Sequence, residues 1–377
     1  MAPRRSAVAL KGEGLSRSAA GARRITSRRW AEFASRSSNH RAGLFTAPLG
    51  ASKRARLRSS PPAPWGVSFT TLFHMSNDSG LFRTAAQLRA AGFVRQGGYW
   101  IGETRYVPLY EAKMIHQFDH RFGYYPDGHV EDTRALPHPT LEQRQDQGFE
   151  VAPRYWVAES EVSERLAAKH WIRTWLMGWR DITSGLDERT LISSIVPVAG
   201  YGDKFLLMQS STSPNLQTAL CGCLNSLVCD YVSRQKIGGA SFKYFTMKQI
   251  AILPPSAYAE ADLALIVPRV LELSYTSRSM APFARDLGYD GPPFAWDEDR
   301  RAQLRAELDA WYARAYGLTR DELRYVLDPA DVRGPDYPSE TFRGLKKNEI
   351  ARYGEYRTAR LVLAAWDAQE ARPAAAQ

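Results

Sequence analysis

The stretch Leu220–Pro255, LCGCLNSLVCDYVSRQKIGGASFKYFTMKQIAILPP, constrains this chain more than any other. Leu216, Leu220, Leu224, Leu227 and Tyr231 recur at three- and four-residue spacings, so they line one face of a helix expected from about Leu216 to Lys236. Gly238-Gly239 should end that helix. A basic, aromatic loop follows, and a short strand then stops at Pro254-Pro255. The three cysteines of the chain, Cys221, Cys223 and Cys229, all fall within this helix. An odd, clustered set does not make a disulfide framework, and a reducing, cytoplasmic setting fits it. Their spacing matches no zinc motif, so they read as small buried hydrophobes.

Around this segment the chain divides by pattern. RYWVAE, WLMGWRDI, TLISSIVPV and KFLLM, between Arg154 and Met208, are short runs rich in β-branched, leucine and aromatic residues, and are expected to be strands. Upstream, the 99–125 region reads as a hairpin followed by a short helix. Ser79 is expected to cap a helix reaching Leu88, with Gly92 ending it, and residues 126–148 read as a loop. Downstream the chain is mostly helical. Leu304, Leu308, Trp311 and Ala315 form a stripe that Gly317 stops, Thr319 and Glu322 form a capping box, and Asp328-Pro329 ends the helix it starts. The fold class expected is α+β.

Charge is unevenly distributed. The net +10 belongs to residues 1–60, which hold 14 Lys+Arg against 2 Asp+Glu. The remainder has 50 − 14 = 36 basic and 40 − 2 = 38 acidic residues, hence −2. Any nucleic-acid surface on the body must therefore be local. Disorder is the default reading of the Arg-, Ser- and Ala-rich tail. A basic arm on phosphates, a transit peptide, or the product of a wrong start or upstream frameshift share its composition, and the last is favoured. No apolar run of 18 or more residues predicts a membrane span, and no secretory core follows Met1.

The loop QKIGGASFKYFTMKQ is the strongest nucleic-acid candidate. Arg234, Lys236, Lys243 and Lys248 can neutralise phosphates, Gly238 and Gly239 allow close backbone approach, and Phe242, Tyr244 and Phe245 can pack on sugars or bases. Ser241 and Gln249 can hydrogen-bond to phosphates or base edges. Arg180, Asp181, Arg189 and Lys204 lie at expected strand ends and can line the same groove. The alternatives are a helix C-terminus with favourable lysines and a solvated loop face. His116 and His120, spaced four apart in MIHQFDH, would share a helix face, but Gln117 stands where a metalloprotease needs Glu. No catalytic, cofactor-binding or metal-binding residue is assigned. Neither a Gly-rich cofactor turn nor an Asp/Asn/Ser-Pro-Pro-aromatic tetrad is found. Ser60-Pro61-Pro62 is followed by Ala63.

Several segments together carry a resemblance: WGVSF…LFHMSNDSGLFRT (65–84), YVPLYEAKMIHQFDHRFGYY (106–125), RDITSGLDERTLISSIVP (180–197), LNSLVCDYVSRQKIGGASFKYFTMKQIAILPP (224–255), and YGLTRDELRYVLDP with SETFRGLKKNEIARYGEYRTARLVLAAWD (316–367). From Trp65 onward the chain resembles the C-terminal, target-recognition portion of type IIG-like adenine-specific DNA methyltransferases of bacterial restriction–modification and phage-defence systems. The resemblance implies sequence-specific recognition of double-stranded DNA by a target-recognition domain at 151–258. A connecting region at 61–150 would precede it and a helical region at 259–377 would follow it. In the family an N-terminal domain binds S-adenosylmethionine and transfers the methyl group to a flipped adenine. Here the tail stands in its place, so no cofactor is expected in this chain, and a separate catalytic polypeptide is an expected partner. A complete adenine-N6 methyltransferase and an inactive, decayed gene product are the alternatives.

Overall fold

The computed structural model describes residues 65–126, 135–338 and 340–371. The expectations for residues 1–60, the tail's disorder included, lie outside them. The strands are β1 (Val67–Thr70), β2 (Val94–Gln96), β3 (Tyr99–Ile101), β4 (Arg105–Tyr110), β5 (Tyr155–Ala158), β6 (Trp175–Arg180), β7 (Ser193–Pro197), β8 (Gly200–Tyr201) and β9 (Phe205–Ser210). The α-helices are α1 (Ala85–Ala90), α2 (Leu141–Gln145), α3 (Glu159–Ala168), α4 (Pro214–Asn225), α5 (Leu227–Lys236), α6 (Tyr244–Met247), α7 (Glu260–Ser274), α8 (Ala281–Asp286), α9 (Glu298–Ala315), α10 (Arg320–Leu327), α11 (Pro329–Arg333), α12 (Arg343–Tyr353) and α13 (Arg357–Glu370). The α+β class is as expected.

One sheet has the order β1-β9-β6-β7, antiparallel throughout, with Val67 opposite Ser210, Gly178 opposite Leu207 and Trp175 opposite Pro197. Alternation along WLMGWR sends Trp175, Met177 and Trp179 to one face and Leu176 to the other. The first face meets α4, α5, α7, α9 and α13 in a core that includes Leu220, Leu224, Val270, Leu304, Tyr312, Val362 and Trp366. The second packs on Leu109, Tyr110, Met114 and Ile115 beneath the other sheet, β2-β3-β4-β5, in which β8 pairs parallel with β4. Each Leu-, Met- or Phe-sized side chain so buried contributes roughly 1.5–3 kcal/mol before chain entropy is counted. Alternation turns position 178 to this second side, where a Cβ would stand 2.5 Å from the Leu206 carbonyl oxygen, so glycine occupies it.

Several expectations change. The division at 150 falls inside a sheet, since β4 pairs with β5. That at 258 falls inside the larger core, and Trp65 is tied to it by its Nε1 donating to the Leu253 carbonyl at 3.0 Å. The long helix is two. Ser226 is extended (φ −67°, ψ 150°) and caps α5 through its side chain. The Asn225 amide pairs with both Ser193 N and O, at 2.9 and 3.0 Å, and Leu227 N donates to Asp309 Oδ1 at 2.7 Å. A continuous helix would forfeit these buried bonds. Ile237 ends α5 in an extended conformation, and neither Gly238 nor Gly239 is left-handed. Residues 250–254 form no strand, although Ile250, Ile252 and Leu253 are buried. Ser79 opens only a 3-10 turn, and Thr84 caps α1 instead. Within the expected 126–148 loop, α2 begins at a Thr140/Gln143 capping box, a signal present in the sequence. Gly317 (φ +75°), the Thr319/Glu322 box and the stop at Asp328 stand as expected.

Candidate nucleic-acid interface

The loop after α5 is laid across the end of β6 and held there by buried groups. Trp179 and Asp181, two residues apart, share one side of the strand. The Trp179 indole N–H donates to the Phe242 carbonyl at 2.7 Å, and Phe242 N donates to the Asp181 carbonyl at 2.6 Å. Asp181 is fully buried, and its carboxylate accepts from Ser241 Oγ and from Lys243 Nζ at 3.0 Å, with Lys204 Nζ at 3.9 Å. Antiparallel pairing puts Lys204 there, because Asp181 N donates to the Lys204 carbonyl at 2.8 Å. Lys204 also pairs with Asp203 at 2.8 Å. Hydrogen bonding to Asp203 raises its pKa above the ordinary lysine value.

Aromatic packing completes the platform. The Tyr244 ring stacks on Phe69 of β1 at 5.5 Å and meets the edge of Trp179 at 5.7 Å. Its hydroxyl shares a 2.9 Å hydrogen bond with Thr71 Oγ1. Phe245, the next residue, is 67% exposed. The exposed side chains of Ile182 and Leu186 belong to the neighbouring segment, and Ile182 bridges to Ser241. Lys236 and Lys248 are exposed and make no ion pair among the described residues, while Lys248 Nζ lies 6.0 Å from the Phe69 ring centre.

The expected residues therefore separate into groups. Lys236, Gly238, Gly239, Lys243 and Lys248 are on the exposed surface, with Lys204 beside Lys243. Ser241 and Tyr244 belong to this loop, but their polar atoms are turned to Asp181 and Thr71. Arg234 is withdrawn from the surface. It donates to the carbonyls of Gly185, Asp187, Glu188 and Thr341, pairs with Asp230 at 3.2 Å and lies over the Phe342 ring at 4.6 Å. Arg189 is buried, donating to Gln117 Oε1 at 2.9 Å and the Asn225 carbonyl at 2.6 Å. Arg180 leaves β6 on the side opposite Asp181 and does not join the loop. Helix α4 cannot face a ligand either, since Gln217 to Asn225 are all buried.

The platform residues Phe69, Thr71 and Trp179 escaped the sequence reading, although the i, i+2 spacing of Trp179 and Asp181 already placed both on one face. His116 and His120 share no helix face. They flank a reverse turn in which His116 and Asp119 pair backbone to backbone and Phe118 has φ +58°. His120 Nε2 lies 3.1 Å from Ser277 Oγ and 3.7 Å from Glu150. Among the described residues no group of three or more His, Cys, Asp or Glu is placed to hold a metal. The three cysteines are free and buried, and burial pushes the Cys221 thiol up to about 12. No helix of the described residues is long and apolar enough to cross a membrane. No protein-family model matches this sequence, and comparison with curated proteins finds no match.

Proposed function

We propose that this chain binds double-stranded DNA through the loop 236–248, as the recognition portion of an adenine-specific methyltransferase system of restriction–modification or phage defence. One observation carries the DNA-binding part. The loop is pinned from beneath by Asp181 and Trp179, while Lys236, Lys248 and Phe245 are exposed on it, the two lysines without an ion pair among the described residues. Exposed lysines without a carboxylate partner can exchange counterions for phosphates, which supplies affinity. A projecting aromatic ring braced by a rigid floor can contact sugar or base without first being ordered, so it costs little entropy on binding. Lys243 and Lys204 share Asp181, so their charge is partly spent inside the protein. The methyltransferase part rests on the resemblance of the segments quoted above. Methyl transfer is assigned to no residue of this chain, and a separate catalytic polypeptide would supply it.

The test is fluorescence anisotropy with labelled duplexes over a salt series. The chain should bind, and the salt slope should fall by about 1.8 in magnitude when Lys236 and Lys248 are both replaced by Ala, at roughly 0.9 per phosphate contact. Lys243→Ala should have the smaller effect. Absence of duplex binding at low salt, or an unchanged slope in the double variant, would sink the proposal. Calorimetric titration with S-adenosylmethionine separates it from a complete methyltransferase, since saturable uptake by this chain would overturn the recognition-only assignment.

A further inference from the structure

A second basic surface lies on the other sheet. Residues 79–102 hold three arginines, Arg83, Arg89 and Arg95, and no Asp or Glu. Strand pairing sets Arg95 of β2 opposite Trp100 of β3, and Trp100 opposite Tyr106 of β4, so these side chains share one face. Trp156 of β5 joins that face, because its partner Pro108 is two residues from Tyr106. Trp100 and Trp156 are buried and meet edge to face at 6.0 Å. The Arg95 guanidinium lies over the Trp156 ring at 6.0 Å, and that of Arg89, from α1, over the Trp100 ring at 5.8 Å. Both arginines therefore rest on one tryptophan pair.

The two cations are exposed, and neither makes an ion pair among the described residues. Arg95 donates from Nε to the Gly97 carbonyl at 3.3 Å, and the Arg89 side chain has no hydrogen-bond partner among those residues. Neighbouring charges are engaged or turned away. Arg83 donates to the Gly80 and Phe82 carbonyls at 2.7 and 2.9 Å. Arg105 pairs with Glu159 at 3.0 Å, and its register with Ile101 and Val94 sets it on the opposite face. Glu150 passes beside Gly98, but its carboxylate is 3.7 Å from His120 Nε2. Glu103 lies in the β3–β4 turn, at the end of β3 away from Gly97. A guanidinium seated on an aromatic ring is held without using its N–H donors, and their fork matches phosphate oxygens. At the hairpin tip Gly97 has φ +59° and open space where a Cβ would stand, so a ligand's backbone can come close. A lipid surface fits less well, because Val94, the exposed apolar residue of β2, is on the opposite face from Arg95.

We propose that Arg89 and Arg95 form a second contact with the phosphate backbone of duplex DNA, on elements separate from the loop 236–248. The inference rests on the reading that this chain binds duplex DNA. Phosphate contacts fix position without reading sequence, so their loss weakens binding to every duplex alike.

Fluorescence anisotropy of the full chain over a salt series tests this. Replacing Arg89 and Arg95 together by Ala should lower the salt slope by about 1.8 in magnitude, at roughly 0.9 per phosphate contact. Affinity should fall by the same factor for unrelated duplexes. Arg89→Lys with Arg95→Lys should keep the slope, because the charges remain. A second measurement needs no variant: duplex should protect Arg89 and Arg95 of the wild-type chain from phenylglyoxal, read by peptide mass spectrometry. An unchanged slope with unprotected arginines overturns the proposal and leaves the loop assignment standing. A slope lowered by the Arg89/Arg95 change but not by the Lys236/Lys248 change supports this surface and overturns the loop. Absence of duplex binding overturns both. Protection by poly-glutamate where duplex gives none would assign the surface to an acidic protein and overturn the proposal.

Discussion

Replacing Asp181 probes the anchor of the loop most directly. The carboxylate has no solvent exposure, accepts from Ser241 Oγ and Lys243 Nζ, and lies within 3.9 Å of Lys204. The hydroxyl bond to a charged acceptor contributes about 1.5–3 kcal/mol. The lysines contribute less, because their side chains are 51% and 47% exposed and screened by water. Pairs of that kind contribute about 0.2–1 kcal/mol each. Asp181→Ala should therefore lower stability by about 2–4 kcal/mol. This is less than the loss of a fully buried pair, since both lysines can turn to solvent. Asp181→Asn keeps an acceptor for Ser241 and should cost about 1 kcal/mol, mainly the screened charge pairs. Urea unfolding reads the difference as a shift in midpoint at constant slope. Hydrogen exchange should show faster opening of residues 240–247 in the alanine variant only. The asparagine variant also frees one positive charge beside the proposed interface, so its DNA salt slope should steepen by roughly 0.9. If Asp181→Ala unfolds within about 0.5 kcal/mol of wild type, a margin typical of unremarkable surface changes, the carboxylate is not the anchor. A shallower salt slope in Asp181→Asn would refute the electrostatic part.

Two further expectations follow from buried groups. Arg234→Met should destabilise by about 3–5 kcal/mol, because Asp230 is left fully buried without its cation and four carbonyls lose their donor. A urea midpoint close to wild type would show that Arg234 is a surface residue after all. The His116→Gln variant should flatten the acid limb of the stability profile. The folded imidazole titrates near 3 and the unfolded one near 6.5. The unfolded chain therefore binds the extra proton between those values, and stability is full above about 6.5 and declines as pH falls toward 3. Asp309 acts with the opposite sign over a narrower range. Burial raises it to about 6, so its contribution weakens as pH rises from about 4 to 6. Urea unfolding of wild type and variant from pH 4 to 8 isolates the His116 share, and parallel profiles would contradict it.

Much of the architecture is local in origin and was legible. Alternation in WLMGWR, β-branched residues in β7, and the Thr319/Glu322 box act within a few residues, so sequence alone determines those elements. Ser226 shows where that ends. Nothing in LCGCLNSLVCDY marks a break, since every residue there fits a helical face. The break exists because Ser193 and Asp309, 33 residues before and 83 after Ser226, offer buried partners that a continuous helix could not use. Basic residues divide by the same logic. Arginine and lysine look alike in a sequence as phosphate ligands, yet Arg234 and Arg189 find carbonyls and carboxamides within reach and are consumed by the fold. Lys236 and Lys248 find no ionic partner among the described residues and remain exposed. The sequence alone determined which segments could be strands, helices and a basic loop, because those are matters of local periodicity and capping. Only the tertiary structure decided which charges are spent inside the protein and which are left for a ligand, because that depends on partners distant along the chain.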